Sequence, residues 1–141
     1  MQGIAHMCFT VSDLERSVEF YRDKMGFRQA FDLNLDGGRV RGVYFHVGGR
    51  TFIELFEGEP KQSSEAGSFR HFCIEVADIN KMVGALRDRG VEVSDPEMGK
   101  DGSYQAWVED PDGNRIELHQ YTQDSLQMRA LAEEEAEEME E

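Results

Sequence analysis

The stretch AHMCFTVSDLERSVEFYRDKMGF, residues 5–27, recurs as RHFCIEVADINKMVGALRDRG, residues 70–90, and this repetition decides the fold. Each copy opens with a histidine at the head of an alternating segment and closes with a glycine after an amphipathic run. Each is followed by a strand-like stretch that holds a glutamate between apolar neighbours: FIELFEG at 52–58 and RIELHQY at 115–121. His6 is thereby matched by His71, and Glu54 by Glu117. Two imidazoles and two carboxylates suffice to hold a divalent metal ion.

Around these copies the chain reads β-α-β-β-β twice. The strand Ile4–Val11 places His6, Cys8 and Thr10 on one face and Met7, Phe9 and Val11 on the other. Ser12 with Glu15 reads as a capping box, Leu14, Val18, Tyr21 and Met25 form the buried stripe, and Gly26 ends the helix. Strands are expected over Arg28–Leu35, Arg41–Val47 and Thr51–Phe56, with Gly37-Gly38 and Gly48-Gly49 at the turns. In the second copy His71, Cys73 and Glu75 share a face. Asp78 caps a helix that buries Ile79, Met82, Val83 and Leu86, and Gly90 ends it. Strands are expected at Val91–Val93, Tyr104–Glu109 and Arg115–Tyr121, with the turn DPDGN at 110–114 before the last. The organisation is a first module at 1–60, a polar linker KQSSEAGS at 61–68, a second module at 69–122 and a tail at 123–141.

That tail carries seven glutamates in its last nine residues, so it reads as a frayed helix or disordered segment outside the fold. The formal net charge of −14 over 141 residues argues against nucleic acid or an anionic membrane as partner. The two cysteines, Cys8 and Cys73, are too few for a disulfide framework, which suggests a reducing compartment. No charged-then-apolar leader opens the chain and no apolar run is long enough to span a bilayer, so a cytoplasmic protein is expected.

Three features, the strand-opening His6 and His71, the helix SDLERSVEFYRDKMGF (12–27) and EDPDGNRIEL (109–118), resemble the vicinal-oxygen-chelate superfamily. Its members include glyoxalase I, methylmalonyl-CoA epimerase, extradiol dioxygenases and fosfomycin-resistance enzymes. The resemblance covers residues 3 to 121 and implies an α+β fold in which two βαβββ modules pair into a curled, cleft-forming sheet. It implies His6, Glu54, His71 and Glu117 as metal ligands, a set most like that of bacterial glyoxalase I, the lactoylglutathione lyase. By the same resemblance, Glu117, with Glu54, moves a proton on the carbon α to a carbonyl, and the metal stabilises the resulting enediolate. Water completing the shell suits Ni²⁺, Zn²⁺, Co²⁺, Mn²⁺ or Fe²⁺.

His119 lies on the strand face of Glu117 and is expected behind the ligands, whereas His46 has no counterpart and is expected to be structural. Phe52, Phe56 and Trp107 are candidate pocket aromatics. Cys8 and Cys73 are expected to pack beside the metal, since no base or CxxC context supports a nucleophile. Lys100, in GKDGS, resembles the loop lysine that meets a glutathione carboxylate. The family's glutathione-contacting arginine and asparagine are replaced by Thr10 and Gly58, so the thiol part of the substrate stays open. A small molecule with carbonyl or hydroxyl oxygens is the expected partner, and a homodimer the expected assembly.

The alternatives are other chemistries of the same fold. An extradiol dioxygenase needs the position that Glu54 would fill, and a CoA-thioester epimerase typically has glutamine there. A fosfomycin-type transferase lacks the fourth protein ligand. A drug-sequestering protein of the bleomycin-resistance kind keeps the fold without the ligand set.

Overall fold

A computed structural model describes residues 1–60 and 68–140. The linker expected at 61–68 lies, except for Ser68, outside the described residues. The chain divides into one unit of Met1–Arg70 with Asp110–Asn114 and another of His71–Glu109 with Arg115–Glu141. Each holds a four-stranded mixed sheet, so the α+β class read from the repeat is the observed one.

In the first unit β1 (His6–Val11) leads into α1 (Leu14–Val18), which continues as a π-helical segment, Glu19–Lys24. β2 (Arg28–Asp32), β3 (Gly42–Gly48) and β4 (Thr51–Glu57) complete a sheet of order β1-β4-β3-β2. β1 pairs parallel with β4, and the other pairs are antiparallel. Val11, Val43, Phe45, Ile53 and Leu55 are buried beneath Leu14, Phe20, Tyr21, Met25 and Phe27, so the apolar stripe of the helix and one face of the sheet share a core. Burying each of the larger chains is worth about 1.5–3 kcal/mol.

The helix is capped by Asp13, whose carboxylate accepts from Arg16 N–H at 3.1 Å, and not by Ser12. Ser12 is engaged elsewhere: its N–H donates to Asp112 at 3.2 Å, and its hydroxyl bonds the same carboxylate. Leu14 N–H, another open donor of the first turn, is taken by Glu57 Oε2 at 2.9 Å. β2 ends at Asp32 rather than Leu35, with a register shift between Gln29 and Phe31; beyond it Leu33 N–H still reaches Gly42 O at 3.0 Å, and Leu35 forms an isolated bridge with Val40. Gly42 is required there: a Cβ would stand 2.4 Å from Leu33 O and 2.4 Å from the Phe56 ring.

The second unit repeats the plan. β5 (Phe72–Glu75) and α2 (Ile79–Asp88) are followed by β6 (Glu97–Met98), β7 (Tyr104–Glu109) and β8 (Arg115–Gln120), in the order β5-β8-β7-β6. Asp78 caps α2 by accepting from Lys81 N–H at 3.1 Å. Ile79, Val83 and Leu86 pack with Phe72, Ala106, Val108, Ile116 and Leu118. The strand expected at Val91–Val93 does not form. Val91 N–H closes the helix end on Leu86 O (3.0 Å), and Ser94 Oγ takes Trp107 N–H (2.8 Å), so a side chain stands where a ladder carbonyl would. The only strand before β7 in this segment is the short β6. The tail, expected to be frayed or disordered, is helical as α3 (Leu126–Glu140), with none of its residues buried. No helix among the described residues is long and apolar enough to cross a membrane.

Candidate metal centre

Strand pairing sets each glutamate in the same place in its unit. Cys8 pairs with Glu54 across β1 and β4, and Cys73 pairs with Glu117 across β5 and β8. The histidine two residues before each cysteine therefore reaches back over the neighbouring strand to the carboxylate. His6 Nε2 stands 3.2 Å from Glu54 Oε2, and His71 Nε2 stands 3.0 Å from Glu117 Oε2. Both carboxylates are buried, while the histidine side chains are 47% and 32% exposed, so each pair opens at its imidazole. Two atoms each about 2.1 Å from one ion, at roughly a right angle, stand about 3 Å apart. Both separations fit donors on adjacent positions of a divalent cation, and the nitrogen–carboxylate chemistry fits the same metals.

The two glutamates differ in their second partners. Tyr44, opposite Glu54 on β3, donates its hydroxyl to Glu54 Oε2 at 2.5 Å, the oxygen that also faces His6. That bond, then burial, pushes the Tyr44 phenol up to about 12, so it remains a donor through neutral pH. Its ring also meets His6 edge-on at 5.7 Å. Glu117 divides its oxygens: Oε2 faces His71, and Oε1 accepts from His119 Nδ1–H at 2.9 Å. His119 is buried, and its Nε2 lies 3.2 Å from Asp101 Oδ2 without the alignment of a hydrogen bond. It thus stands behind Glu117.

The aromatic candidates divide by unit. Phe52 and Phe56 are half-buried on the Glu54 face of β4, with Phe52 6.2 Å from the Tyr44 ring. Trp107 pairs with Glu117 across β7 and β8, takes the His71 ring edge-on at 4.8 Å and carries the Arg115 guanidinium over its face at 4.3 Å. Lys100 is exposed in the turn after β6. His46 Nε2 contacts Gly49 O at 2.8 Å and ties the β3–β4 hairpin, a structural role.

Burial, then the Glu117 charge, pushes the Cys73 thiol up to about 12, and burial followed by Glu54 raises Cys8. Neither is an activated nucleophile. A ligand atom of Cys73 nonetheless falls within 4.8 Å of those of Glu117 and His119. The other such cluster among the described residues, Asp13, Glu15 and Glu57, is already spanned by a guanidinium: Arg41 pairs with Glu15 at 2.6 Å and with Glu57 at 2.8 Å. A cavity of about 460 Å³ lies beside it, between α1 and strands β2 and β3, and shares no residue with the His–Glu pairs.

Sequence reasoning missed Tyr44 and Asp101. Tyr44 was within reach of it, since alternation in β3 puts Val43 and Phe45 on the core face and Tyr44 on the other. Asp101 gave no such signal, because its role depends on contacts made far along the chain.

The chain as a whole is similar to known proteins. The chain is 31% identical to lactoylglutathione lyase of Arabidopsis thaliana over 121 residues, 82% of this chain but only 43% of that protein's length. It is 32% identical to the metallothiol transferase FosB of Staphylococcus epidermidis, over 83% of this chain and 80% of that one. The crystal structure of SMU.1112c superposes with a TM-score of 0.76 at 24% identity, covering 84% of this chain and 98% of that one, which shows a shared fold. The family model of the Glyoxalase/Bleomycin resistance protein/Dioxygenase superfamily matches residues 3–118, and the chain belongs to that superfamily.

Proposed function

We propose that this protein is a metal-dependent lyase or isomerase of the lactoylglutathione lyase type. The observation that carries this reading is the duplicated His–Glu pair, set by the same register in both units, with separations of 3.2 and 3.0 Å. His6, Glu54, His71 and Glu117 would together hold one divalent ion, from one chain or shared between the chains of a homodimer. When bound, the metal supplies Lewis-acid polarisation of a substrate carbonyl and offsets the negative charge that develops beside it.

The chain's own residues do the rest. Glu117 or Glu54 takes the proton from the carbon α to the carbonyl and returns it to the neighbouring carbon, completing an isomerisation. Tyr44 keeps one oxygen of Glu54 occupied and His119 one oxygen of Glu117, so each glutamate is oriented while it serves. Phe52, Phe56 and Trp107 supply apolar walls that limit water, and Lys100 offers a cation to an anionic end of the substrate. The substrate class is a 2-oxoaldehyde–thiol adduct, with the thiol unspecified because Thr10 and Gly58 stand at two contact positions.

The test is turnover of such adducts by protein loaded with Ni²⁺ or Zn²⁺. Activity lost on chelation and in Glu117→Gln supports the reading. Absence of isomerisation together with oxygen uptake on catechols would replace it with the dioxygenase, and thiol transfer to fosfomycin would replace it with the transferase.

A further inference from the structure

Glu117 is held from behind as well as from the front, and the hold leads to the C-terminal helix. His119 Nδ1 bonds Glu117 Oε1 at 2.9 Å, and the other nitrogen of the same ring faces Asp101 Oδ2 at 3.2 Å. Asp101 is itself pinned: Gln127 Nε2 donates to its Oδ2 at 2.7 Å, and Ser103 N–H donates to its Oδ1 at 3.0 Å. These bonds, Gln127 first, hold the pKa of its carboxyl below the ordinary value. Leu126 N–H, at the start of α3, donates to the Asp101 carbonyl at 2.8 Å.

The loop and the helix start are fastened together at further points. Thr122 Oγ1 donates to Gly102 O at 2.7 Å, and Ser103 Oγ meets Ser125 Oγ at 3.0 Å, with both serines fully buried. Gly102 permits this approach, for it sits at φ +82° and a Cβ there would be 3.0 Å from Asp124 O. No residue of α3 is buried, so the helix contributes no packed apolar face; what it contributes is this first turn.

We infer that the first turn of α3 positions Glu117, acting through Asp101 and His119, which makes Gln127 and Asp101 positioning residues for the metal centre. The inference rests on reading Glu117 as a metal ligand. Among the described residues, buried side-chain atoms without a hydrogen-bond partner include His119 Nε2 and Gln127 Oε1, the two neighbours of Asp101. Unmade hydrogen bonds at buried polar atoms are rare in native proteins, and two of those found here flank the Asp101 carboxylate. With α3 docked, both Glu117 oxygens are engaged. With its first turn released, Asp101 no longer backs the imidazole, His119 no longer fixes Oε1, and the carboxylate is free to turn Oε2 away from the position beside His71 that a metal needs.

The test uses the full chain, chelator-treated and titrated with Ni²⁺ in a calorimeter, with urea unfolding in parallel. Asp101→Asn and Gln127→Glu are expected to weaken Ni²⁺ binding about tenfold with little change in the unfolding midpoint. Gln127→Lys keeps a donor for Asp101 and is expected to hold the wild-type affinity. Equal affinity in all variants of a wild type that binds would overturn the inference. The same variants, metal-free and ¹⁵N-labelled, supply an independent reading through the His119 imidazole signals. If the wild type binds no Ni²⁺, the metal reading fails on its own account. Shifted His119 signals in Asp101→Asn and Gln127→Glu would then uphold the Gln127–Asp101–His119 linkage, and unchanged signals would overturn it.

Discussion

Tyr21→Phe removes a single oxygen from the core of the first unit, and its cost follows from what that oxygen touches. Tyr21 is fully buried, and its hydroxyl donates to Asp110 Oδ2 at 2.8 Å. Asp110 is 5% exposed, and it also accepts from Asp112 N–H, Asn114 N–H and Asn114 Nδ2. The carboxylate is therefore not stranded when Tyr21 is changed, which places the loss at the lower end of the range for a hydrogen bond to a charged group, about 1.5–2 kcal/mol. Phenylalanine keeps the ring contacts with Phe20 at 5.0 Å, Phe27 at 5.9 Å and Phe45 at 6.0 Å, so no cavity larger than the oxygen opens. With a urea m-value of about 1.5–2 kcal/mol/M, the midpoint should fall by about 1 M. Asp110→Asn should cost a comparable amount, and the double variant should cost less than the two together, because both remove the same bond. A midpoint unchanged in Tyr21→Phe, or full additivity in the double variant, would refute the reasoning.

Other outcomes follow from the same contacts. Gly42→Ala drives a methyl into Leu33 O and the Phe56 ring and should destabilise by about 2 kcal/mol or more in the same urea assay. Tyr44→Phe deprives Glu54 of its hydroxyl partner and should weaken metal binding about tenfold without unfolding the chain, measured by calorimetry. Cys73, whose thiol is pushed up to about 12, should resist iodoacetamide at pH 8 and gain reactivity only as pH rises toward that value, because the thiolate is the attacking form. Rapid labelling of Cys73 at pH 8, followed by mass spectrometry, would contradict that environment.

Much of the fold was legible because period and punctuation agreed. Alternation in β1 and β5 placed His6 with Cys8 and His71 with Cys73, and glycines at 26 and 90 marked the helix ends. Legibility failed where a distant side chain took over a local signal. Ser12 has the residue type of a cap, but Asp112, far along the chain, claims both its donors, and Asp13 caps instead. Val91–Val93 has strand propensity, but Ser94 Oγ intercepts Trp107 N–H. At the site, each His–Glu pairing could be read from the repeat because it follows strand register. The Asp101–Gln127 bond could not, since it joins an exposed-looking loop to a glutamate-rich tail whose composition signals only solvation.

Metal stoichiometry tests the central claim most directly. Chelator-treated protein would be titrated with Ni²⁺ and Zn²⁺ in a calorimeter, beside His6→Ala and His71→Ala. One tight site per four-residue ligand set, lost in either variant, is the expected result. Absence of tight binding, or tight binding that survives both substitutions, would contradict the claim that His6, Glu54, His71 and Glu117 form a metal centre.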